Sequence, residues 1–237
     1  MAVIVSAGTA PTLLAVAHGT REPSGVATVE SLVEAVRQRR AGLDVRTAYV
    51  EITAPSIEQA LAALDRPVVV LPLLLASGYH DKVDIPRSLR AVRPDGMLGR
   101  VLGPDPLLAE ALLDRLHTAG WRRRDAIVLG AAGSGDPQAL MAAEAQARLL
   151  AERAGGPVLA AYASTAQPSV GEAVARLRRS GADRVAVASF LLAPGFFHTR
   201  LATAGADLVT EPLGDHPAVV DLVLNRYDQA RETARQA

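Results

Sequence analysis

The 237 residues carry 25 Lys and Arg against 25 Asp and Glu, giving zero net charge, with 49% hydrophobic residues and no cysteine. A balanced chain whose strongest basic run is Trp121-Arg122-Arg123-Arg124 is poorly suited to a nucleic-acid backbone. The missing thiols exclude disulfides, thiolate catalysis and Cys-type zinc sites, and they fit a reducing compartment.

Residues 1–17 are apolar, but no Lys or Arg precedes the apolar stretch and Pro11 interrupts it, which argues against a secretory signal. Leu13 to Ala17 reads as a short strand ending at His18-Gly19-Thr20-Arg21. Val26, Val29, Leu32, Val33 and Val36 then recur at helical spacing through Arg40, and Gly42 stops the run. Val45 to Val50 is the next strand, ending at Glu51, and Pro55-Ser56 opens a helix. Val68 to Leu75 is a continuous apolar run, as expected of a strand buried on both faces. It leads through Ala76-Ser77-Gly78-Tyr79 to His80, and a helix follows from about Ile85 to Val92. A short strand near Val101 and a helix over Leu107 to Ala119 complete this half. The longest apolar segment, Val68 to Ala76, is about half a membrane span. A cytoplasmic protein with no membrane partner is therefore expected.

The chain then repeats itself. Residues 126–134, 162–170, 191–198 and 213–217 echo 13–20, 49–57, 74–80 and 102–106 in the same order and at nearly constant offset. Strand–helix alternation argues for parallel sheets flanked by helices. The reading is an α/β chain of two similar domains from internal duplication, each with a parallel four-stranded sheet. The first spans residues 1–120 and the second 121–237, with the join near Ala119 to Arg124.

The copies differ where chemistry would sit. His18, Glu51 and His80 fall at strand carboxyl ends, the edge at which open α/β sheets bind ligands. The second half has Ala132, Ser164 and Phe197 at the matching places, with His198 one position further on. Two imidazoles and a carboxylate suit a borderline divalent transition metal and leave coordination positions open. Singly, each residue also has an ordinary structural reading, as a hydrogen-bonded histidine or a helix-capping acid. His117 is read as lying on a solvated helix face, and His216 as a capping residue before Pro217. His198 either faces a cleft between the halves or begins a helix.

Ala17-His18-Gly19-Thr20-Arg21, Tyr49-Val50-Glu51 with Pro55-Ser56, and Pro72-Leu73-Leu74-Leu75 leading to Gly78-Tyr79-His80 with Asp84-Ile85-Pro86 resemble the sirohydrochlorin chelatase family. These are the class II cobalto- and ferrochelatases of cobalamin and sirohaem synthesis. The resemblance covers nearly the whole chain, since longer members are similar two-domain proteins whose second half has lost the ligands. It implies a chelatase-like fold, metal held by His18 and His80 with Glu51 assisting, and tetrapyrrole contacts along Leu75, Ala76, Ser77, Gly78, Tyr79 and His80. The chain departs from the family pattern at Thr20 and at Asp81-Lys82-Val83.

On this reading the metal, cobalt, ferrous iron or nickel, is a substrate, and no organic cofactor is required. One imidazole or Glu51 accepts a pyrrole proton as general base. Arg21, Lys82, Arg87 and Arg200 are candidates for the carboxylates of the substrate. The backbone amides of Ser77, Gly78, Tyr79, Gly133 and Ser134 are further candidates. The expected partner is a small tetrapyrrole, bound by a monomer or homodimer. Two rivals are a non-catalytic metal or tetrapyrrole carrier and a histidine-nucleophile phosphatase. Ala17 stands where such phosphatases place an arginine, which weakens the second.

Overall fold

The computed structural model describes residues 10–236. Residues 1–9, half of the stretch read as lacking a signal, lie outside the described residues. The first half runs β1 (Thr12–Ala17), α1 (Pro23–Arg39), β2 (Val45–Tyr49), α2 (Ile57–Ala62) and β3 (Val68–Pro72). A π-helical turn, His80–Asp84, then leads into α3 (Ile85–Val92), β4 (Met97–Leu98) and α4 (Pro106–Thr118). The second half is β5 (Ala126–Ala131), α5 (Pro137–Ala154), β6 (Val158–Tyr162), α6 (Val170–Arg179), β7 (Val185–Phe190), α7 (Phe196–Ala202), β8 (Leu208–Val209) and α8 (Pro217–Gln236).

Local chemistry accounts for several boundaries. Ser56 and Ser169 open α2 and α6 with capping boxes, closed by Gln59 and Glu172. Asp105 and Asp136 cap α4 and α5 by accepting from Leu107 N and Gln138 N. The last strand of the first half is Met97–Leu98, ahead of the strand expected near Val101. Gly99 N and Leu102 N still bond the carbonyls of Val70 and Leu74, but irregularly. A Cβ on Gly99 would meet Leu71 Cδ1 at 2.6 Å, so the Leu71 side chain occupies the space that a side chain would need there.

Each half forms a wholly parallel four-stranded sheet, ordered β2-β1-β3-β4 and β6-β5-β7-β8. In the first sheet Ala17 pairs with Tyr49 and Val16 with Pro72, which sets the carboxyl ends of β2, β1 and β3 side by side. Alternation along β1 sends Leu14 and Val16 outward against Ile57, Leu61, Ile85 and Leu89. Leu13, Ala15 and Ala17 point inward to a core that also holds Ile127, Leu129 and Ala131 of β5. The two halves thus share one continuous interior.

The final helices are exchanged across that interior. Helix α8 lies against α1, β3 and β4, whereas α4 lies against α5 and β7. Arg226 of α8 donates to the carbonyls of Val101 and Leu102, at 3.0 and 2.9 Å, and pairs with Asp105 at 2.9 Å. Arg115 of α4 makes the equivalent contact in the other direction, donating to the Leu213 carbonyl at 3.0 Å. Among the described residues no helix is long and apolar enough to cross a membrane.

Candidate metal centre

His18 leaves the end of β1 and Gly19 follows at φ +101°, a conformation that glycine adopts without steric cost. A Cβ there would lie 1.8 Å from the Glu51 carbonyl oxygen, so only glycine lets the two loops touch. Glu51 N donates to the His18 carbonyl at 3.1 Å, fixing Glu51 beside His18. Beyond it Ile52 sits at φ 67°, with Thr53 N donating to the Glu51 carbonyl at 2.7 Å. This is a γ-turn of the strained hand, placed at the candidate site. Thr53 Oγ1 accepts from Thr20 N at 3.1 Å and donates to the Thr20 carbonyl at 3.0 Å, clamping the loops together.

His80 arrives from the third strand on the π-helical turn, where Ile85 N reaches back to the His80 carbonyl. The turn places Asp84 on the same face as His80, and His80 Nδ1 lies 2.8 Å from Asp84 Oδ2. Ring nitrogen Nε2 is left for other work. A carboxylate behind a ligating imidazole fixes its tautomer and strengthens it as a donor.

The ligand atoms of His18, Glu51 and His80 all lie within 4.8 Å of one another. His18 Nδ1 is 3.3 Å from Glu51 Oε1, and the two imidazoles meet edge to face with centroids 4.8 Å apart. The His18 and Glu51 side chains are about half exposed, at 50% and 49%, and His80 is 30% exposed. The donors therefore converge on a point open to solvent on one side, able to take an ion from water and pass it on. The second half repeats the scaffold, with Gly133 at φ 95°, Thr165 at φ 65° and Ala166 N on the Ser164 carbonyl at 2.7 Å. Its matching side chains supply no such donor set.

The other predicted site residues separate into groups. Arg21, on the loop after β1, and Arg200, on α7, are both exposed, and Leu75 and Ala76 are part-buried. Tyr79 is exposed at the mouth and Lys82 points across it, its Nζ 2.7 Å from Asp136 Oδ2 in the second half. Arg87 is engaged with Asp84 at 3.4 Å. The Gly78 amide, expected to meet a substrate carboxylate, is taken by Asp81 instead, which also accepts from the Ser77 hydroxyl. Ser134 Oγ accepts from Asp136 N at 3.0 Å, beside the part-buried Gly133. His198 Nε2 is spent on the Thr210 carbonyl at 3.0 Å, which turns the ring toward its own sheet. His117 is exposed and packs on Trp121, and His216 Nδ1 accepts from Ala218 N at the start of α8.

Sequence reasoning missed the service of Asp84 to His80, although an acid four residues after a histidine is a legible helical signal. It also missed an apolar rim. Ile52 and Tyr79, after β2 and β3, and Phe196 and Phe197, opening α7 after β7, are exposed large hydrophobics beyond the carboxyl ends of strands, as is Met141 in the first turns of α5. Exposed apolar groups of this kind mark a surface for a ligand or partner.

The CbiX family model matches residues 12–119 and again 126–230, in step with the internal repeat. The chain is 25% identical over 214 residues to the sirohydrochlorin ferrochelatase of Priestia megaterium, spanning 84% of this chain and 79% of that one. It is 30% identical over 131 residues to the sirohydrochlorin cobaltochelatase of Methanothermobacter thermautotrophicus, spanning 45% of this chain and 91% of that shorter protein. Among solved structures, SirB from Bacillus subtilis with Fe3+ has a TM-score of 0.81 at 23% identity, over 96% of this chain and 98% of that one. At that identity the likeness is one of fold.

Proposed function

The chain belongs to the CbiX family, and on that premise we propose that it is a chelatase inserting a divalent ion, cobalt or ferrous iron, into sirohydrochlorin. The product would serve cobalamin or sirohaem synthesis. The observation that carries the reading is the convergence of His18, Glu51 and His80 within 4.8 Å at the mouth between the halves. Imidazole and carboxylate donors displace water from such ions, yet hold them less firmly than thiolates would.

His18 and His80 present the ion to one face of the macrocycle, which rests against the apolar rim. Insertion releases two N–H protons as all four ring nitrogens take up the metal, one proton passing directly to water. Glu51, at the edge of the donor set and open to water, is placed to accept the other and pass it to solvent. Arg21, Lys82 and Arg200 receive the peripheral carboxylates of the macrocycle.

The test is an absorption assay of sirohydrochlorin with Co2+ and with Fe2+. His18→Ala and His80→Ala are each expected to lower the insertion rate at least about 100-fold, the lower end of what a positioned acid–base or ligand group supplies. His198→Ala should keep most of the activity, because its ring is committed to Thr210. Wild-type rates in both of the first two variants would refute the assignment. The ion that gives the higher rate at equal free concentration identifies the preferred substrate.

A further inference from the structure

The duplication makes two cations at the mouth directly comparable. Glu22, the N-cap of α1, stands three residues after Gly19 and just before Pro23. Asp136, the N-cap of α5, stands three residues after Gly133 and just before Pro137. Lys82 lies two residues beyond His80, and Arg200 two beyond His198. Allowing for the one residue by which the second copy is longer, which carries His198 one place beyond the match to His80, Lys82 with Asp136 and Arg200 with Glu22 are corresponding acid–base pairs.

Only one copy is closed. Lys82 Nζ reaches 2.7 Å from Asp136 Oδ2, tying the turn that carries His80 to the second half. On the other side the loops are also in van der Waals reach, for a Cβ on Gly195 would lie 3.9 Å from Thr20 Oγ1 and 4.0 Å from Glu22 Cγ. Yet the Arg200 guanidinium lies over the Phe196 ring, 5.6 Å from its centroid, and has no carboxylate partner among the described residues. The closed pair is itself readily exchanged. Its side chains are 39% and 27% exposed, and water competes for both ends. The Lys82 hydrogen bond holds the Asp136 carboxyl below its ordinary range.

We propose that Asp136 is an internal stand-in for a substrate carboxylate, occupying Lys82 in the free protein and yielding it when a polycarboxylate macrocycle enters between the halves. Arg200, the open copy, receives a carboxylate first. The proposal rests on the chelatase reading and adds to it a function for the half without metal donors: that half sets how readily the substrate is admitted. Asp136 acts on binding through Lys82 and leaves the insertion step to the donors in the first half.

The experiment is an absorption titration of the metal-free protein with sirohydrochlorin at low salt. Asp136→Asn removes the competing charge but keeps a good helix cap, so folding is preserved. It is expected to tighten binding about two- to fivefold, the fold-change equivalent of an exposed ion pair. Lys82→Ala should weaken binding, and adding Asp136→Asn to it should then change nothing. Arg200→Ala should weaken binding at least as much as Lys82→Ala. The gain from Asp136→Asn should shrink about twofold or more in 0.5 M salt, as screening predicts. Unchanged or weaker binding by Asp136→Asn, or a gain that persists without Lys82, overturns the stand-in and leaves the chelatase reading intact. Failure of the wild-type protein to bind sirohydrochlorin at all overturns both.

Discussion

With Nδ1 held 2.8 Å from Asp84 Oδ2, the His80 ring cannot turn freely, and the nitrogen facing the joint mouth is Nε2. Asp84→Asn keeps the shape of the side chain but replaces the charged acceptor with an amide. Removing such a partner typically costs about 10- to 100-fold in metal affinity. A Co2+ titration followed by the visible spectrum is expected to show a loss in that range, with the protein still folded. Unaltered affinity would mean that Asp84 merely caps the turn. His18, Glu51 and His80 were legible in the sequence because each follows a strand, and parallel strands bring their carboxyl ends together. The bond from Thr53 Oγ1 to both polar backbone groups of Thr20 was not, since it joins residues 33 apart and depends on the strained turn at Ile52.

The loops after β1 and β5 have almost the same backbone, and only one of them ends in donors. Gly19→Ala would set a methyl group 1.8 Å from the Glu51 carbonyl oxygen, and Gly133→Ala one 1.9 Å from that of Ser164. At positive φ each substitution carries a conformational cost of about 1–3 kcal/mol, and the clash with the backbone adds to it. Denaturant unfolding is expected to show a similar loss for the two variants. Co2+ affinity should fall sharply for Gly19→Ala, because the contact it breaks aligns Glu51 with His18, and should survive in Gly133→Ala. Equal loss of metal binding in both would show that the glycines act through global stability alone. Strand and helix order, the repeats and the caps at Ser56, Asp105 and Ser169 were readable from local chemistry. The turn over His80–Asp84 was not, because the small residues before it signal a loop and the helical geometry there comes from Asp81 gathering the Ser77 hydroxyl and Gly78 amide.

For the whole molecule, the repeat marks two halves near residue 120 but cannot show how they cover each other. Helices α4 and α8 carry comparable apolar faces, and either could pack on either sheet. In the fold they are exchanged, so each sheet is completed by the last helix of the opposite half. Arg226 supplies the polar half of this arrangement: its side chain is only 8% exposed and spans to Asp105 and to the Val101 and Leu102 carbonyls. Arg115 is the matching residue on α4, but His216 stands where Asp105 stands in the other copy, and Arg115 Nε has no partner. A fragment of residues 1–120 would lose α8 and expose the inner face of its sheet. Two copies of that fragment can restore it by exchanging α4, which sends Arg115 of each toward the Leu102 carbonyl and Asp105 of the other. The acid that Arg115 lacks in the full chain would then be present. Light scattering is expected to give twice the fragment mass, and a Co2+ titration one ion per copy, since His18, Glu51 and His80 all lie within it. A folded monomer would show instead that α4 closes back on its own sheet, and that the exchange in the full chain depends on the covalent join.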